Sequence, residues 1–339
     1  PPSHGLWNQV DAVMNLSTDM LIVGAGPVGL YAAYYAGFRG FRTVVCDTLP
    51  EIGGQISAMY PEKLIFDVAG FPEIRGRDLV EGLAAQANAF SPEYVLGDQA
   101  VDLMDTDDGV QVVTASGRTI DAKVLLITGG IGAFQPRPLP AADAFTGEGI
   151  VFFVPKLDVH AGHDVVIVGG GDSAFDWALS LHPIARSVTL VHRREAFRAH
   201  AGTVDRVREL GVRLVTSSEV TAVKGDGKVT GVEVTHKQTG ETLDLPADTV
   251  VAALGFIASI GPMAQWDLQL EKRHILVDTT MATNRPRVYA AGDIATYPGK
   301  VPLISIGFGE AALAVNNAAP IIDPTHGVFP GHSSGESSA

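Results

Sequence analysis

The chain has 339 residues, of which 46% are apolar, and a formal net charge of −14. This length accommodates two domains, and the apolar content is typical of compact α/β layers rather than of a disordered or fibrous chain. The acidic balance argues against broad binding to nucleic acid or to an anionic membrane surface. The sequence shows no secretory signal pattern and no apolar run of about 18 residues, and its only cysteine, Cys46, has no intrachain partner. We therefore expect a cytoplasmic protein.

The stretch from Met20 to Asp47 predicts a dinucleotide-binding βαβ unit. An apolar strand is followed by GAGPVG, which has the G-x-G-x-x-G spacing, and then by a helix. In this motif the glycines allow a tight turn, close approach to a pyrophosphate and close packing of helix on strand, while the helix N-terminus holds the phosphate charge. A second strand ends in Asp47, where a carboxylate would hold ribose hydroxyls. The residues assigned to this site are Gly24, Gly26, Pro27, Gly29 and Asp47.

The chain after Asp47 predicts one long irregular connection and then a mixed helix and strand region. Residues 51–79 are rich in glycine, proline and polar residues, and long connections in compact domains are usually functional. The predicted elements beyond it are a helix at 77–89 and strands at 94–96, 99–104 and 124–127, with turns at 107–109 and 116–117.

The same order of elements recurs in the second half of the chain. An apolar strand at 165–168 leads into a G-x-G-x-x-A motif and a helix, then a strand at 188–191 and a helix ending near Leu210. Strands turning at 225–227 and 239–240 and an apolar run at 250–254 complete the unit. Shared composition would rarely reproduce this order, so the sequence predicts two nucleotide-binding domains.

The two units differ at the position that follows the second strand. Where the first unit has Asp47, the second has His192, followed by three arginines. A carboxylate binds ribose hydroxyls, whereas guanidinium groups bind a 2′-phosphate, so the second site is predicted to prefer NADPH. The alternative is an ordinary solvated basic turn. The residues assigned to NADP(H) are Gly169, Gly171, Asp172, Ser173, Ala174, His192, Arg193, Arg194 and Arg198.

The C-terminal segment is predicted to complete the first domain. Strands at 275–277 and 288–291 and a helix at 307–319 are too few to bury a core alone. We therefore predict an α/β protein with two Rossmann-like, three-layer ββα domains, in which the NADPH domain is inserted into the FAD domain. The FAD domain comprises 1–128 and 258–339 and the NADPH domain 129–257, joined by linkers at prolines 136, 138 and 140 and just after Gly255.

FAD is the expected ligand of the first site. Asp293, which follows a strand, could present a carboxylate to the ribityl or phosphate groups, and a helix starting near Gly309 would direct its positive end at the flavin. The sequence has no Ser-His-Asp, H-x-x-x-H or C-x-x-C pattern, so we predict neither nucleophilic catalysis nor a metal site. Hydride transfer between two bound cofactors requires none of them.

Five segments, GAGPVG, ITGG, VVIVGGGDSA, HRREAFR and VYAAGD, resemble the low-molecular-weight thioredoxin reductase family over nearly the whole chain. Those enzymes carry a C-x-x-C before the second glycine motif, whereas this chain has FFVPKLDVHAGHD there. The stretches GGQISAMYPEKLIFDVAGFP, ISIGFGEAALAVNNA and FPGHSS instead resemble the thioredoxin-reductase-like ferredoxin–NADP reductases.

This resemblance implies electron transfer between NADPH and ferredoxin, or flavodoxin, through FAD in a homodimer. It implies that Tyr60 stacks on one face of the flavin and that His332, in a C-terminal extension, covers the other face in the partner subunit. Without it, Tyr60 is an ordinary loop aromatic and His332 a disordered tail residue. The other residues that it assigns to FAD are Gln55, Asp67, Ala100, Gly129, Phe134, Asp293 and Ser333.

Two other functions stay open at this point. The chain could be an NADPH-dependent reductase or oxidase that passes electrons to a flavin, a quinone or oxygen, or a flavin-bound redox sensor without catalytic turnover. Because ferredoxins are usually acidic and this chain is acidic too, ferredoxin would need a local basic patch for docking. The candidates are Lys63, Arg75, Arg77, Arg193, Arg194 and Arg198.

Overall fold

The computed structural model describes residues 15–332, except for residues 144 and 146 and the side chain of Phe134. The chain first alternates strands with helices and then forms a strand meander. The elements of this first part are β1 (Leu16–Val23), α1 (Pro27–Phe38), β2 (Thr43–Asp47), α2 (Gly54–Met59), β3 (Leu64–Ile65), β4 (Ile74–Arg75), α3 (Gly76–Asn88), β5 (Glu93–Leu96), β6 (Ala100–Asp105), β7 (Val110–Thr114) and β8 (Thr119–Ile127).

The second part repeats this order, and a short third part follows it. The second part contains β9 (Ala133–Pro136), β10 (Ile150–Val151), β11 (Asp164–Val168), α4 (Asp172–Leu181), β12 (Ser187–Val191), α5 (Ala201–Glu209), β13 (Arg213–Val215), β14 (Ser218–Gly225), β15 (Val229–His236), β16 (Thr242–Pro246), β17 (Thr249–Ala252) and β18 (Phe256–Ser259). The third part contains β19 (Leu270–Glu271), β20 (His274–Leu276), β21 (Val288–Ala290), β22 (Ala295–Thr296) and α6 (Ile304–Ile322). Short 3₁₀ turns cover Pro140–Ala142, Asp158–His160 and Gly261–Gln265.

The first sheet brings the two ends of the chain together. Its strands run in the order β5-β2-β1-β8-β7-β6, and β21 pairs with the C-terminal half of β8 in parallel. Parallel pairing of β5, β2, β1, β8 and β21 buries the apolar runs on both faces, and α1 packs against α3 and α6. The prediction that the C-terminal segment completes the first sheet is therefore confirmed.

The second sheet is sandwiched between helices and a small antiparallel sheet. Its five strands, β10-β17-β11-β12-β13, are parallel, and β14-β15-β16 form the separate antiparallel sheet. Side chains alternate along a strand, so Val165 and Ile167 of β11 pack with Phe175 of α4, whereas Val166 and Val168 pack with the antiparallel sheet. This is the predicted three-layer arrangement.

The two linkers between these parts pair with each other. β9 and β18 form a two-stranded antiparallel ladder, in which Pro136 opposes Phe256 and Ala133 opposes Ser259. Both crossings between the parts therefore lie side by side.

Three predictions of local structure were wrong. The irregular connection at 51–79 contains α2 and the β3–β4 pair, which are too short to show a hydrophobic period. β1 begins at Leu16 rather than at Met20. α6 begins at Ile304 rather than near Gly309, and a Cβ on Gly307 would lie 2.4 Å from Cγ2 of Val28. Gly307 thus lets α6 approach α1 and does not mark a helix start. Among the described residues, no helix is long and apolar enough to cross a membrane.

Candidate functional site

The first glycine motif is packed against the end of β8. Gly24 has φ +118°, and a Cβ on it would lie 2.4 Å from the carbonyl oxygen of Thr128. A Cβ on Gly29 would lie 1.8 Å from the carbonyl oxygen of Gly24. The hydroxyl of Thr128 donates to that same oxygen at 2.8 Å. These contacts give Gly24 and Gly29 the tight-turn and helix-packing roles that the sequence predicts.

Asp47 is held beside this motif by backbone N–H groups. Its Oδ2 accepts a hydrogen bond from the N–H of Ala25 at 2.6 Å, and its Oδ1 accepts one from the N–H of Leu49 at 2.8 Å. Burial raises the pKa of the Asp47 carboxyl above its ordinary value, although the N–H groups of Ala25, Leu49 and Thr48 act in the opposite direction. The carboxylate is thereby fixed at the end of β2.

A cavity of about 680 Å³ opens in front of the motif. It falls within the size range of ligand pockets and is lined mainly by apolar groups, with a few polar groups that could fix an orientation. Nine residues assigned to FAD line it, namely Gly24, Gly26, Pro27, Asp47, Gln55, Tyr60, Ala100, Gly129 and Asp293.

Tyr60 lies where the cavity meets the second part of the chain. Burial raises the pKa of Tyr60 to about 12, with further contributions from Asp293 and Asp67. The side chain packs against the same apolar cluster as Phe153, and both Phe152 and Phe153 line the cavity. In this arrangement the inserted part therefore contributes to the wall of the cavity.

Five of the residues assigned to FAD are not among the described side chains that line this cavity. Gly29 lies behind the motif, and Asp67 is exposed with its carbonyl oxygen accepting from the Ser305 hydroxyl at 3.0 Å. His332 is exposed and contacts Phe329, with ring centroids 5.4 Å apart. Ser333 and the side chain of Phe134 lie outside the described part of the chain.

The second glycine motif repeats the geometry of the first. Gly169 has φ +155°, and a Cβ on it would lie 2.4 Å from the carbonyl oxygen of Ala253, just as Gly24 meets Thr128. Ala174 is buried in the following helix. A Cβ on Gly171 would meet nothing within 4 Å, and Ser173 is exposed at the N-terminus of α4. The open side of this turn is thus free to receive a phosphate group.

The arginine-rich loop is tied to this motif through the backbone. The N–H of Arg198 donates to the carbonyl oxygen of Gly170 at 2.8 Å, and the N–H of His200 donates to Oδ1 of Asp172 at 2.9 Å. Arg193 and Arg194 are exposed. The structure therefore ties the loop that carries the predicted arginines to the glycine turn.

His192 differs from these arginines because its ring is buried. The side chain is 8% exposed, and its Nε2 has no hydrogen-bond partner among the described residues. Burial lowers the pKa of His192, and the positive charges of Arg193, Arg194 and Arg198 lower it further. The ring packs beside Phe197, at a centroid distance of 5.5 Å.

Comparison with known proteins assigns this arrangement to a family. Residues 18–316 match the pyridine nucleotide-disulphide oxidoreductase family. The chain belongs to this family. It is 60% identical over 315 residues to a ferredoxin–NADP reductase of Frankia casuarinae, covering 93% of this chain and 98% of the relative. It is 49% identical over 323 residues to one of Thermus thermophilus, covering 94% and 96%.

Solved structures of thioredoxin reductases resemble it as well. The thioredoxin reductase of T. acidophilum superposes with a TM-score of 0.77 at 27% identity, covering 91% of this chain and 99% of that one. The thioredoxin reductase of Lactococcus lactis, at 24% identity and a TM-score of 0.74 over 90% and 99% of the two chains, shares the fold.

Pyridine nucleotide-disulphide oxidoreductases bind FAD and NADP(H), and the residues present fit both groups. A Cβ on Gly54 would lie 2.9 Å from Cα of Gly26, so two side-chain-free turns face each other at the start of α1. The carboxylate of Asp47 follows the second strand of the first motif, and His192 followed by Arg193 and Arg194 occupies the corresponding place in the second. Among the described residues, no group of three or more His, Cys, Asp or Glu side chains could hold a metal ion.

Sequence reasoning missed several residues that line the cavity. Gly54 carried a signal, since Gly53 and Gly54 form a glycine pair shortly after Asp47, but the sequence analysis places it in an irregular connection. Phe152, Phe153 and Met263 line the cavity from distant segments, and no local pattern in the sequence marks them.

Proposed function

We propose that this chain is an FAD-dependent oxidoreductase that transfers electrons between NADPH and ferredoxin, as a ferredoxin–NADP reductase. The observation that carries the proposal is the missing redox disulfide in a chain that otherwise has the thioredoxin reductase fold. The only cysteine is Cys46, which is buried at the end of β2. Relatives that are 47–61% identical over nearly the full chain are named ferredoxin–NADP reductases.

The proposal divides the chain as the sequence analysis does. Residues 1–128 and 258–339 hold FAD, and residues 129–257 hold NADPH. Pairing of β21 with β8 and of β9 with β18 supports this division, since the chain leaves the first sheet and returns to it through two adjacent strands.

The residues around the cavity have separate roles toward FAD. The glycine turn and the N-terminus of α1 bind the pyrophosphate, Asp47 accepts hydrogen bonds from ribose hydroxyls, and Asp293 faces the ribityl and phosphate groups. Gln55 and Tyr60 contact the flavin ring. Bound FAD supplies the conversion between one two-electron hydride transfer and two single-electron transfers. The protein orients the donor, excludes water and needs no acid, base or nucleophile of its own.

NADPH binds at the second glycine turn with its 2′-phosphate against Arg193 and Arg194. Both side chains are exposed, and neither forms a salt bridge among the described residues. Their guanidinium groups are therefore available to a phosphate. Lys63, Arg75 and Arg77, by contrast, already pair with Asp176 or Glu62.

The C-terminal extension acts in a homodimer. The buried guanidinium of Arg39 donates to the carbonyl oxygens of Gly327 and Val328, at 2.7 and 3.1 Å. Arg39 follows the C-terminal end of α1, about 18 Å along the helix from the end that meets the cavity. The tail thus leaves the subunit far from its own cavity, which supports a role for His332 and Ser333 at the flavin of a partner subunit.

Ferredoxin-coupled reduction of cytochrome c by NADPH tests this function. We expect reduction that depends on NADPH, on ferredoxin and on bound FAD, with flavodoxin as a second acceptor. Direct dye reduction by NADPH without any ferredoxin effect would favour a flavin or quinone reductase. Absence of both activities in the FAD-loaded protein would favour a redox sensor. A cytoplasmic location is part of the proposal.

A further inference from the structure

Two buried charged side chains hold the Gly292–Asp293 turn from behind. The N–H of Gly292 donates to Oε2 of Glu310 at 2.7 Å, and Nζ of Lys300 donates to the carbonyl oxygen of Gly292 at 2.9 Å. Nζ of Lys300 also contacts both carboxylate oxygens of Glu310, at 2.5 and 2.6 Å. One ion pair therefore contacts both backbone polar groups of a single residue, whose carbonyl oxygen also accepts a hydrogen bond from the N–H of Ala295 at 3.0 Å.

This ion pair is buried, in contrast to most ion pairs of the described chain. The side chain of Glu310 is 3% exposed and that of Lys300 is 9% exposed. The hydroxyl of Tyr297 donates to Oε1 of Glu310 at 2.5 Å and completes the network. A buried ion pair is often no more stabilising than apolar residues of the same volume, so stability alone gives little reason for charges at this place.

The turn that the ion pair contacts has a backbone conformation that glycine adopts readily and other residues rarely adopt. Gly292 has φ +80°, and a Cβ on it would lie 3.2 Å from Cγ2 of Val28. Val28, Gly292 and Asp293 all line the cavity in which FAD is proposed to bind. A shift of the Gly292 peptide would therefore move the Asp293 carboxylate relative to the cavity.

We propose that Glu310 and Lys300 are positioning residues for FAD, which fix the Gly292 peptide so that Asp293 faces the cavity. The proposal rests on the assignment of this cavity to FAD. The two side chains act on the cofactor through Asp293 and not by contact with it.

The same pair also acts electrostatically on Asp293. Burial raises the pKa of the Asp293 carboxyl, Lys300 lowers it, Glu310 raises it and His274 lowers it. Tyr60 is affected in turn, because the charge of Asp293 contributes to its raised pKa. Removing one charge of the pair would therefore change both the position and the ionisation of Asp293.

FAD release from the diluted holoenzyme, followed by flavin fluorescence, tests the proposal. Glu310→Gln keeps the shape and leaves Lys300 unpaired, and Lys300→Met leaves Glu310 unpaired. Each should weaken FAD binding by about 10-fold or more, whereas the double variant, which has no unpaired charge, should bind FAD more tightly than either single variant. Lys224→Met removes an ammonium from the exposed pair with Asp244 and should leave FAD affinity unchanged.

A cycle with Asp293→Ala separates positioning from general stability. If Glu310 acts through Asp293, then Glu310→Gln should change FAD affinity less than about 2-fold in the Asp293→Ala background. An equal loss of affinity in both backgrounds would overturn the proposal, and so would unchanged affinity in the single variants. If Glu310→Gln fails to fold, Tyr297→Phe, which removes only the hydroxyl bound to Glu310, replaces it in the same cycle.

The pH dependence of FAD release is a further test, because a purely structural role of the ion pair would leave the midpoint pH of release unchanged. If ionised Asp293 favours FAD, Glu310→Gln should lower the midpoint pH of release and Lys300→Met should raise it. Midpoints that do not move, or that move together, would contradict an action through Asp293. None of these measurements uses ferredoxin, so a failure of the proposed electron partner would leave this inference intact.

Discussion

The imidazole of His192 lies so close to Gly170 that a Cβ on Gly170 would come within 2.3 Å of the ring atom Cε1. Gly170 is the middle residue of the second glycine motif, and its carbonyl oxygen receives the N–H of Arg198. The ring of His192 therefore packs against the glycine turn on its buried side, while the arginines that follow it are exposed to solvent.

This contact predicts that Gly170→Ala destabilises the protein and that His192→Ala relieves the effect. The added methyl group has no space beside the ring, so we expect a loss of about 1–3 kcal/mol in the free energy of unfolding. The double variant should recover most of the difference between Gly170→Ala and wild type, because the truncated residue 192 vacates the space. Denaturant unfolding of all four proteins measures this coupling.

Gly171→Ala is the matched control in the same motif, since its Cβ would meet nothing within 4 Å. It should leave stability unchanged even if it weakens NADPH binding. Equal destabilisation by both alanines would show that the turn, and not the His192 contact, sets the stability.

The exposed pair Arg193 and Arg194 should determine the choice between NADPH and NADH. Replacing both with alanine removes the partners of the 2′-phosphate only, so KM for NADPH should rise about 10-fold to 100-fold while KM for NADH stays within about 2-fold. Steady-state dye reduction with each cofactor measures this difference. Arg206→Ala, on the neighbouring helix α5, is the control. An equal rise for both cofactors would place these arginines on the part common to NADPH and NADH.

The sequence predicts the nucleotide motifs because their determinants are local. Gly24 and Gly169 each have a positive φ at the turn between a strand and the helix that follows it, and the glycine spacing that marks this turn lies within a few residues. The carboxylate at residue 47 and the arginines after residue 192 are likewise identified by their position after the second strand of each unit.

The remaining parts of the site depend on tertiary contacts that local patterns do not contain. Phe152 and Phe153 reach the cavity only because the inserted part folds back onto Tyr60. Gly307 was interpreted as a helix start, although its small size serves the approach of α6 to α1. The sequence analysis groups His192 with the adjacent arginines, although its ring is buried beside Phe197.

The buried carboxyl of Asp47 predicts a defined pH dependence of stability. Its pKa is raised in the folded protein, so folding takes up a proton and the contribution of Asp47 to stability increases as the pH falls. In the FAD-free protein, the free energy of unfolding relative to Asp47→Asn should therefore rise from neutral pH through the raised folded pKa and level off below the ordinary value of 3.8. Denaturant titrations of both proteins across this range measure the difference. A relative stability that falls with acidification would mean that the N–H groups outweigh burial.

The Cys46 thiol should be unreactive in the native protein. The side chain is fully buried, its Sγ donates to the carbonyl oxygen of Asp98 at 3.2 Å, and burial raises its pKa to about 12. Since the thiolate is the reactive form, a disulfide reagent such as DTNB at neutral pH should titrate no thiol before unfolding and one thiol afterwards. Cys46→Ala provides the blank, and rapid labelling of the native protein would contradict this burial.

Deletion of residues 331–339 should change the flavin environment and leave the fold intact. It removes His332 and Ser333 but keeps the contacts of Arg39 with Gly327 and Val328, so the remaining tail still leaves the subunit at the same place. If His332 covers a partner's flavin, its loss should expose the ring, shift the visible absorption spectrum and change the rates of flavin reduction by NADPH and of reoxidation by oxygen. Stopped-flow absorbance at equal FAD occupancy measures both steps.

Point variants of His332 show whether this effect depends on the aromatic ring or on the rest of the tail. His332→Phe keeps a ring over the flavin and should preserve the spectrum, whereas His332→Ala should reproduce the deletion. Because a covering ring occupies the space where nicotinamide must stack, the NADPH domain or the tail has to move during turnover, and the adjacent linkers β9 and β18 are the natural hinges. Identical spectra and rates for the deletion and the intact protein would mean that His332 has no role at the flavin. Sedimentation of the same samples shows whether the deletion also affects the dimer. If the rates change while the dimer is preserved, the effect comes from the loss of the ring that covers the flavin and not from a loss of dimer assembly.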